Sequence, residues 1–249
     1  MQNELKELFL IKWKKYFGEA ELPIVYYYTD TLSDNEIVNT RNNNRCLIGN
    51  LNTVRQGYTF VFSAESSGCM GGKRYTGYSQ KLRPNFEYFL SCGIPGEIEG
   101  ERYKKSSELV KEYLKNNPPF EAPAKYLVFK RWDNLEDRDE PLAVIFFATP
   151  DILSGLFTLA NYDYANPNGV MSPMGSGCSS IIAYPLVESK QLNPRCVLAM
   201  FDVSARPFVT ENTLTFTIPM KRTEEMLRNM DDSFLITGSW KAVRGRINK

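Results

Sequence analysis

Cysteines 69 and 178 stand in similar surroundings, Ser66-Ser67-Gly68-Cys69-Met70-Gly71-Gly72 and Gly175-Ser176-Gly177-Cys178-Ser179-Ser180. A serine-glycine turn of this kind predicts a loop that enters a helix, with the serine oxygens accepting from the first free N–H groups. A thiol held at such a point has its pKa lowered by those donors and by the helix dipole. The chemistry on offer is that of a thiolate, as nucleophile or as ligand. The plain alternative is that each cysteine is a small buried hydrophobe behind a tight turn.

The groups around these thiols narrow the options. The run Gly68-Cys69-Met70-Gly71-Gly72-Lys73-Arg74 places glycines before a lysine, yet it is one residue short of a phosphate loop and has Arg74 where a magnesium-binding hydroxyl belongs. What survives is a turn at Gly71 and Gly72 whose backbone N–H groups converge on an anion, with Lys73 or Arg74 alongside; a tight turn into a helix reads the same way. Asp202-Val203-Ser204-Ala205-Arg206 closes a strand with an acid and a base four positions apart. Arg206 is a planar donor suited to a carboxylate or phosphate, or equally to a structural ion pair.

The chain has no histidine. Ser-His-Asp and Cys-His mechanisms are therefore excluded within it, and a metal site would have to use thiolates, carboxylates and carbonyls. The cysteines, at 46, 69, 92, 178 and 196, contain no Cys-x-x-Cys clip. No structural zinc site is expected, and a cluster ligated by scattered cysteines stays open.

With 249 residues, 43% of them hydrophobic, the chain suffices for one large core and does not force a second domain. Thirty Lys and Arg against 29 Asp and Glu give a formal charge of +1, so no overall field selects nucleic acid or a membrane surface. The N-terminal residues, Met1-Gln2-Asn3-Glu4-Leu5-Lys6, are unlike an export signal, and an odd number of cysteines argues against a disulfide framework. Both point to a cytoplasmic protein. Leu142 to Val187 carries only Asp151 and Asp163 as charges, but Pro150 and Asn166-Pro167-Asn168-Gly169 interrupt it, so it is no membrane span. It reads as a wall around a ligand or as the centre of the core.

The elements that must position these residues follow from periodicity. Glu4 to Phe17 predicts an amphipathic helix. Further helices are expected over Cys46 to Gln56, Phe86 to Ser91, Ser106 to Asn116 (stopped by Pro118-Pro119), Asp151 to Tyr162, from Cys178 to near Pro185, and Lys221 to Asn229. Strands are expected at Ile24 to Tyr28, Tyr58 to Phe62, Tyr126 to Lys130, Ala143 to Phe147, Val197 to Phe201 and Leu214 to Ile218, where β-branched and aromatic residues concentrate. Thr31 to Asn44 reads as a loop, Asp133 to Glu140 as an exposed hairpin connection, and Trp240 to Arg246 as a solvated terminus. The fold class is α+β, a mixed sheet covered by helices in a single domain over 1–249. The order strand, helix, Ser-Gly-Cys, helix occurs from Pro23 and again from Leu142, which suggests a degenerate internal duplication with half-repeats near 20–120 and 121–235.

Cys69-Met70-Gly71-Gly72 leading to Gly77, the charge-poor stretch Leu142 to Tyr162, Gly177-Cys178, and Asp202 to Arg206 followed by Thr217-Ile218-Pro219 resemble the family filed as domain of unknown function 169. Thr76 replaces an aliphatic residue, and Ser204 a glycine, of that pattern. The resemblance implies a bacterial or archaeal cytoplasmic protein with no assigned activity. It directs attention to Cys69, Cys178, Asp202 and Arg206.

Three functions are consistent with these residues. The first is a binding protein for a small anionic metabolite or cofactor, its site formed by Cys69, Gly71, Gly72, Lys73, Ser176, Gly177, Cys178, Ser179, Asp202 and Arg206 in a cleft between the half-repeats. The second is a thiol enzyme that works without histidine, and the third a structural or interaction protein. Neither the identity of a cofactor nor the oligomeric state is legible.

Overall fold

In a computed structural model of the chain, residues 2–34, 36, 46–66, 69–117 and 120–247 are described. Ser67 and Gly68 of the first Ser-Gly-Cys turn, most of the expected loop Thr31 to Asn44, and Pro118-Pro119 lie outside the described residues. In chain order the elements are α1 (Gln2–Phe17), β1 (Ile24–Thr29), α2 (Leu47–Arg55), β2 (Phe60–Ser63), α3 (Met70–Tyr75), α4 (Phe86–Phe89), α5 (Ser107–Asn116) and β3 (Tyr126–Arg131). There follow β4 (Ala143–Ala148), α6 (Pro150–Ala160), β5 (Val170–Met171), a π-helical segment (Ser179–Ala183) running into α7 (Tyr184–Ser189), β6 (Cys196–Ala199), β7 (Leu214–Pro219), α8 (Met220–Asn229) and α9 (Gly238–Ile247).

The strands form one mixed sheet in the order β2-β3-β1-β4-β7-β6-β5, with antiparallel pairing except between β5 and β6. All six expected strands are present, and the α+β class with a helix-covered mixed sheet holds. The expected strand Val197 to Phe201, β6, ends at Ala199 because Met200 takes φ 74°, outside the β region. β5 has only two residues, too short for a periodic signal in the sequence.

Alternation along the strands sorts side chains between two cores. Val25, Val144, Phe146, Phe216 and Ile218 face the layer of α1, α6, α8 and α9. Ile24, Tyr26, Phe129, Ile145 and Phe147 face α2 and the helix that follows Cys178. Every residue of β4 is buried, as expected for a strand covered on both faces.

The sheet order is symmetric about the β1–β4 pair, β3 then β2 on one side and β7 then β6 on the other. The helices break that symmetry. A twofold axis relating β1 to β4 passes through the sheet and keeps faces unchanged, yet α2 after β1 and α6 after β4 pack on opposite faces. The internal duplication is not confirmed.

Two other expectations are corrected. Trp240 to Arg246 is not a solvated tail but part of α9: Trp240 is buried, packs edge-on against Phe17 and Phe234, and donates its indole N–H to the Tyr16 carbonyl at 2.8 Å. The segment 133–140 is only partly exposed. Asp139 is buried and, with Glu36, pairs with the buried Lys130 at 2.9 and 2.7 Å, while the Tyr27 hydroxyl donates to both carboxylates. A lysine buried near the end of β3 needs these partners because an unpaired buried charge costs several kcal/mol.

α6 approaches α9 closely enough that a Cβ added at Gly155 would lie 2.4 Å from Cη2 of Trp240 and 2.9 Å from Cε1 of Phe17. Gly155→Ala is expected to destabilise the fold by about 1 to 3 kcal/mol, through overpacking; chemical denaturation of the two proteins checks this, and equal midpoints would contradict the close packing.

Candidate functional site

Three chain segments that begin helices meet on the α2 side of the sheet, and each carries a cysteine at its start. Cys46 is the residue before α2, Cys69 the residue before α3, and Cys178 the second residue of the helical stretch 177–189. Contacts between neighbouring residues fix their proximity. Gly72 lies against Leu47, so that an added Cβ would sit 3.6 Å from the Leu47 Cβ and 3.4 Å from the Cys69 sulfur. Gly177 lies against Ile48 and Ala205, with an added Cβ 3.1 and 3.0 Å from their carbons. The start of α2 is thereby wedged between the starts of the other two helices.

The expected placement of Cys69 and Cys178 at helix starts is what the structure shows, and both are free thiols. The sulfur of Cys69 accepts from the Gly72 amide at 3.1 Å, and the Ser176 hydroxyl oxygen accepts from the Ser179 amide at 3.2 Å. Asp202 completes the second turn: Oδ2 accepts from the Gly177 amide at 2.8 Å, while Oδ1 accepts from the amide and hydroxyl of Ser204 at 3.0 and 2.8 Å. The helix from Gly177 does not stop near Pro185 but runs through it to Ser189. Pro185 has no N–H to give to Ile181, and the preceding turn widens into the π segment that absorbs the loss. Tyr26 of β1 donates its hydroxyl to the Ile182 carbonyl there, at 3.1 Å.

Electrostatics differ from the sequence expectation. Burial pushes the Cys178 thiol well above the ordinary range, and the neighbouring charges of Cys69, Cys46 and Asp202 push it further. Burial likewise raises Cys46, opposed by the amides of Gly49 and Ile48, with Cys69 and Asp202 adding to the rise. Desolvation of a thiolate outweighs the helix-start donors at these two positions, so the expected lowering of the Cys178 pKa is corrected. The same influences show that Cys46, Cys69, Cys178 and Asp202 form one electrostatic cluster.

The basic residues expected beside the thiols are committed elsewhere. Arg206 donates through Nη1 to the Thr213 carbonyl and through Nη2 to those of Thr210 and Glu211, which orders the 210–213 turn. Lys73 donates to the Ala64 carbonyl at 2.8 Å, and Arg74 to that of Gln80 at 2.8 Å. Gly71 and Gly72 are helical residues of α3, not a loop curled around an anion. Tyr113 and Tyr184 both donate to the Met174 carbonyl, at 3.3 and 3.2 Å, and tie α5 to the segment before Cys178.

The larger of the two described cavities, about 310 Å³, is lined by Leu153, Phe157, Leu198 and Phe216 on the opposite face of the sheet, without Cys69, Cys178 or Arg206. Sequence reasoning also missed Cys46. It lacks the Ser-Gly neighbours of the other two, and its signal was position alone, one residue ahead of the apolar pair Leu47-Ile48 that opens a helix. The remaining thiols stand apart: Cys92 is exposed, and Cys196 is buried in the other core beside Met226.

The DUF169 family, described as uncharacterised ArCR, matches residues 14–229. The chain belongs to this family. The match takes in Cys46, Cys69, Cys178 and Asp202 as well as all seven strands. No curated protein and no solved structure gave a match. Among the described residues, no helix of this DUF169 member is long and apolar enough to cross a membrane.

Two outcomes follow for the site. Asp202→Ala removes charge-assisted bonds to Gly177 and Ser204 and is expected to lower stability by about 1.5 to 3 kcal/mol, as measured by denaturant unfolding; a loss under about 0.5 kcal/mol would show the bonds to be replaceable by water. Alkylation of Cys178 in the folded chain, followed by mass spectrometry against pH, is expected to accelerate only above the free thiol value of about 8.5, and a midpoint at or below it would contradict the dominance of burial.

Proposed function

We propose that this DUF169 protein is a cytoplasmic binding protein for a small ligand or cofactor, held where Cys46, Cys69, Cys178 and Asp202 converge. The observation that carries this reading is the convergence itself: three thiols from separate segments, at matching positions before or within the first turn of a helix, gathered against one carboxylate. A hydrophobic core has no need to collect three of five cysteines at one point. The free state of all five thiols supports a reducing compartment.

The hydrogen bonding bears on the ligand class. The amides of Gly72, Gly177 and Ser179 already donate to Cys69, Asp202 and the Ser176 hydroxyl, and Lys73 and Arg206 are spent on backbone carbonyls. With those amides and cations engaged, what the site presents to a ligand is lone pairs on sulfur. The site therefore favours a ligand that bonds to thiols over a free anion, and of the residues first considered it keeps Cys69 and Cys178 as contacts with Asp202, Gly72, Ser176, Gly177 and Ser179 as their supports. A nucleophilic role is less favoured, because burial raises two of the three thiols.

Native mass spectrometry of protein purified without added ligand tests the proposal. The native mass is expected to exceed the denatured mass, and Cys46→Ala and Cys69→Ala are each expected to abolish the excess while keeping the circular dichroism of the parent. Equal native and denatured masses in the parent, with unhindered alkylation of Cys69, would replace this reading with a purely structural role for the thiols.

A further inference from the structure

We infer that Cys46, Cys69 and Cys178 are the three thiolate ligands of an iron–sulfur cluster. This rests on the binding-protein reading above and names its cofactor class.

Spacing separates the metal options. Among the described residues, no three His, Cys, Asp or Glu side chains stand close enough to hold one metal ion. A single zinc draws each sulfur to about 2.3 Å from the metal, so its ligands must nearly touch. A polynuclear cluster interposes irons and sulfides, and its thiolates stand farther apart. Three helix starts packed together through Gly72 on Leu47 and Gly177 on Ile48, whose thiols do not group closely enough to share one ion, match the second geometry.

The surroundings fit the same assignment. The Gly72 amide donates to the Cys69 sulfur, and the amides of Ile48 and Gly49 bear on Cys46, which are the backbone donors that stabilise thiolates on iron and tune the potential of a cluster. Ile48, Ile181, Ile182, Met200 and Ala205 form the apolar wall on the sheet side, where solvent is excluded. The N-terminus of α2 presents its positive dipole end toward the cluster's negative charge. Asp202 is not a ligand in this arrangement, since both its oxygens are engaged by Gly177 and Ser204; it positions the start of the helix that carries Cys178. With Cys92 exposed and Cys196 in the other core, the chain supplies three thiolates, and one iron of a four-iron cluster would lack a cysteine. Binding would replace the S–H bond of each cysteine with an Fe–S bond and release one proton per cysteine to solvent.

The test uses the full-length chain, isolated without oxygen and then reconstituted with ferrous iron and sulfide. Iron and acid-labile sulfide are expected in equal amounts on the protein, with broad visible absorption and a Mössbauer signature of a cluster. Cys46→Ser and Cys69→Ser, at half-buried positions, are expected to lose at least about 10-fold of both while melting like the parent, and Cys92→Ser is expected to lose neither. If Cys178→Ser does not fold, the other two variants still decide. Reconstituted parent protein without sulfide-matched iron, or variants that keep the parent's content, would overturn the assignment. An organic molecule retained by the parent and lost from the same variants would overturn the cluster while leaving the binding reading in place; a parent protein that shows neither metal nor mass excess would overturn both.

Discussion

The antiparallel pairing of β1 with β4 is the constraint on which the remaining structure depends. β4 is buried over its whole length, so each of its side chains must find an apolar partner on one face or the other. Ile145 and Phe147 face one core, Val144 and Phe146 the other, and the register Ile24–Ile145 and Val25–Val144 forces β1 to alternate in step. A slip of one residue would turn both sets to the wrong side. Because the two faces must both be roofed, helices are drawn to each, and α2 and the stretch from Gly177 are brought together on one of them.

That roofing has a polar cost at the helix starts, where the first N–H groups lack intrahelical partners. The chain meets it from within, through the Cys69 sulfur, the Ser176 hydroxyl and the Asp202 carboxylate. The result reverses the polarity that the turns suggest in isolation. A serine-glycine turn alone is a set of donors waiting for an anion; with its own acceptors in place it becomes a frame that presents sulfur. The same economy governs the cations. Arg206 binds three carbonyls of the following turn, and Lys130 is enclosed by Glu36 and Asp139, so neither is free to meet a ligand.

Much of the fold was legible because it rests on local pattern. Runs such as Ile24 to Tyr28 and Ala143 to Phe147 have too many β-branched and aromatic residues for any other reading, and α1 and α5 show helical spacing with a serine cap before α5. Trp240 was misjudged because its neighbours, Lys241, Arg244 and Arg246, dominate the local composition, whereas its burial depends on Phe17 and Phe234. Asp139 was misjudged for the same reason, since the partner that draws it inward, Lys130, lies on a different element.

That Cys69 and Cys178 begin helices, that histidine chemistry is absent, and that the sheet is built from these strands could be read locally, because each is a property of a short segment and its backbone. That Cys46 joins them, that Arg206 turns to its own loop, and that burial rather than the dipole sets the Cys178 thiol came with the packing of the fold. Those outcomes depend on which helices share a face of the sheet and on how much water remains there. Both are properties of packing between segments distant in the chain, and no local spacing encodes them.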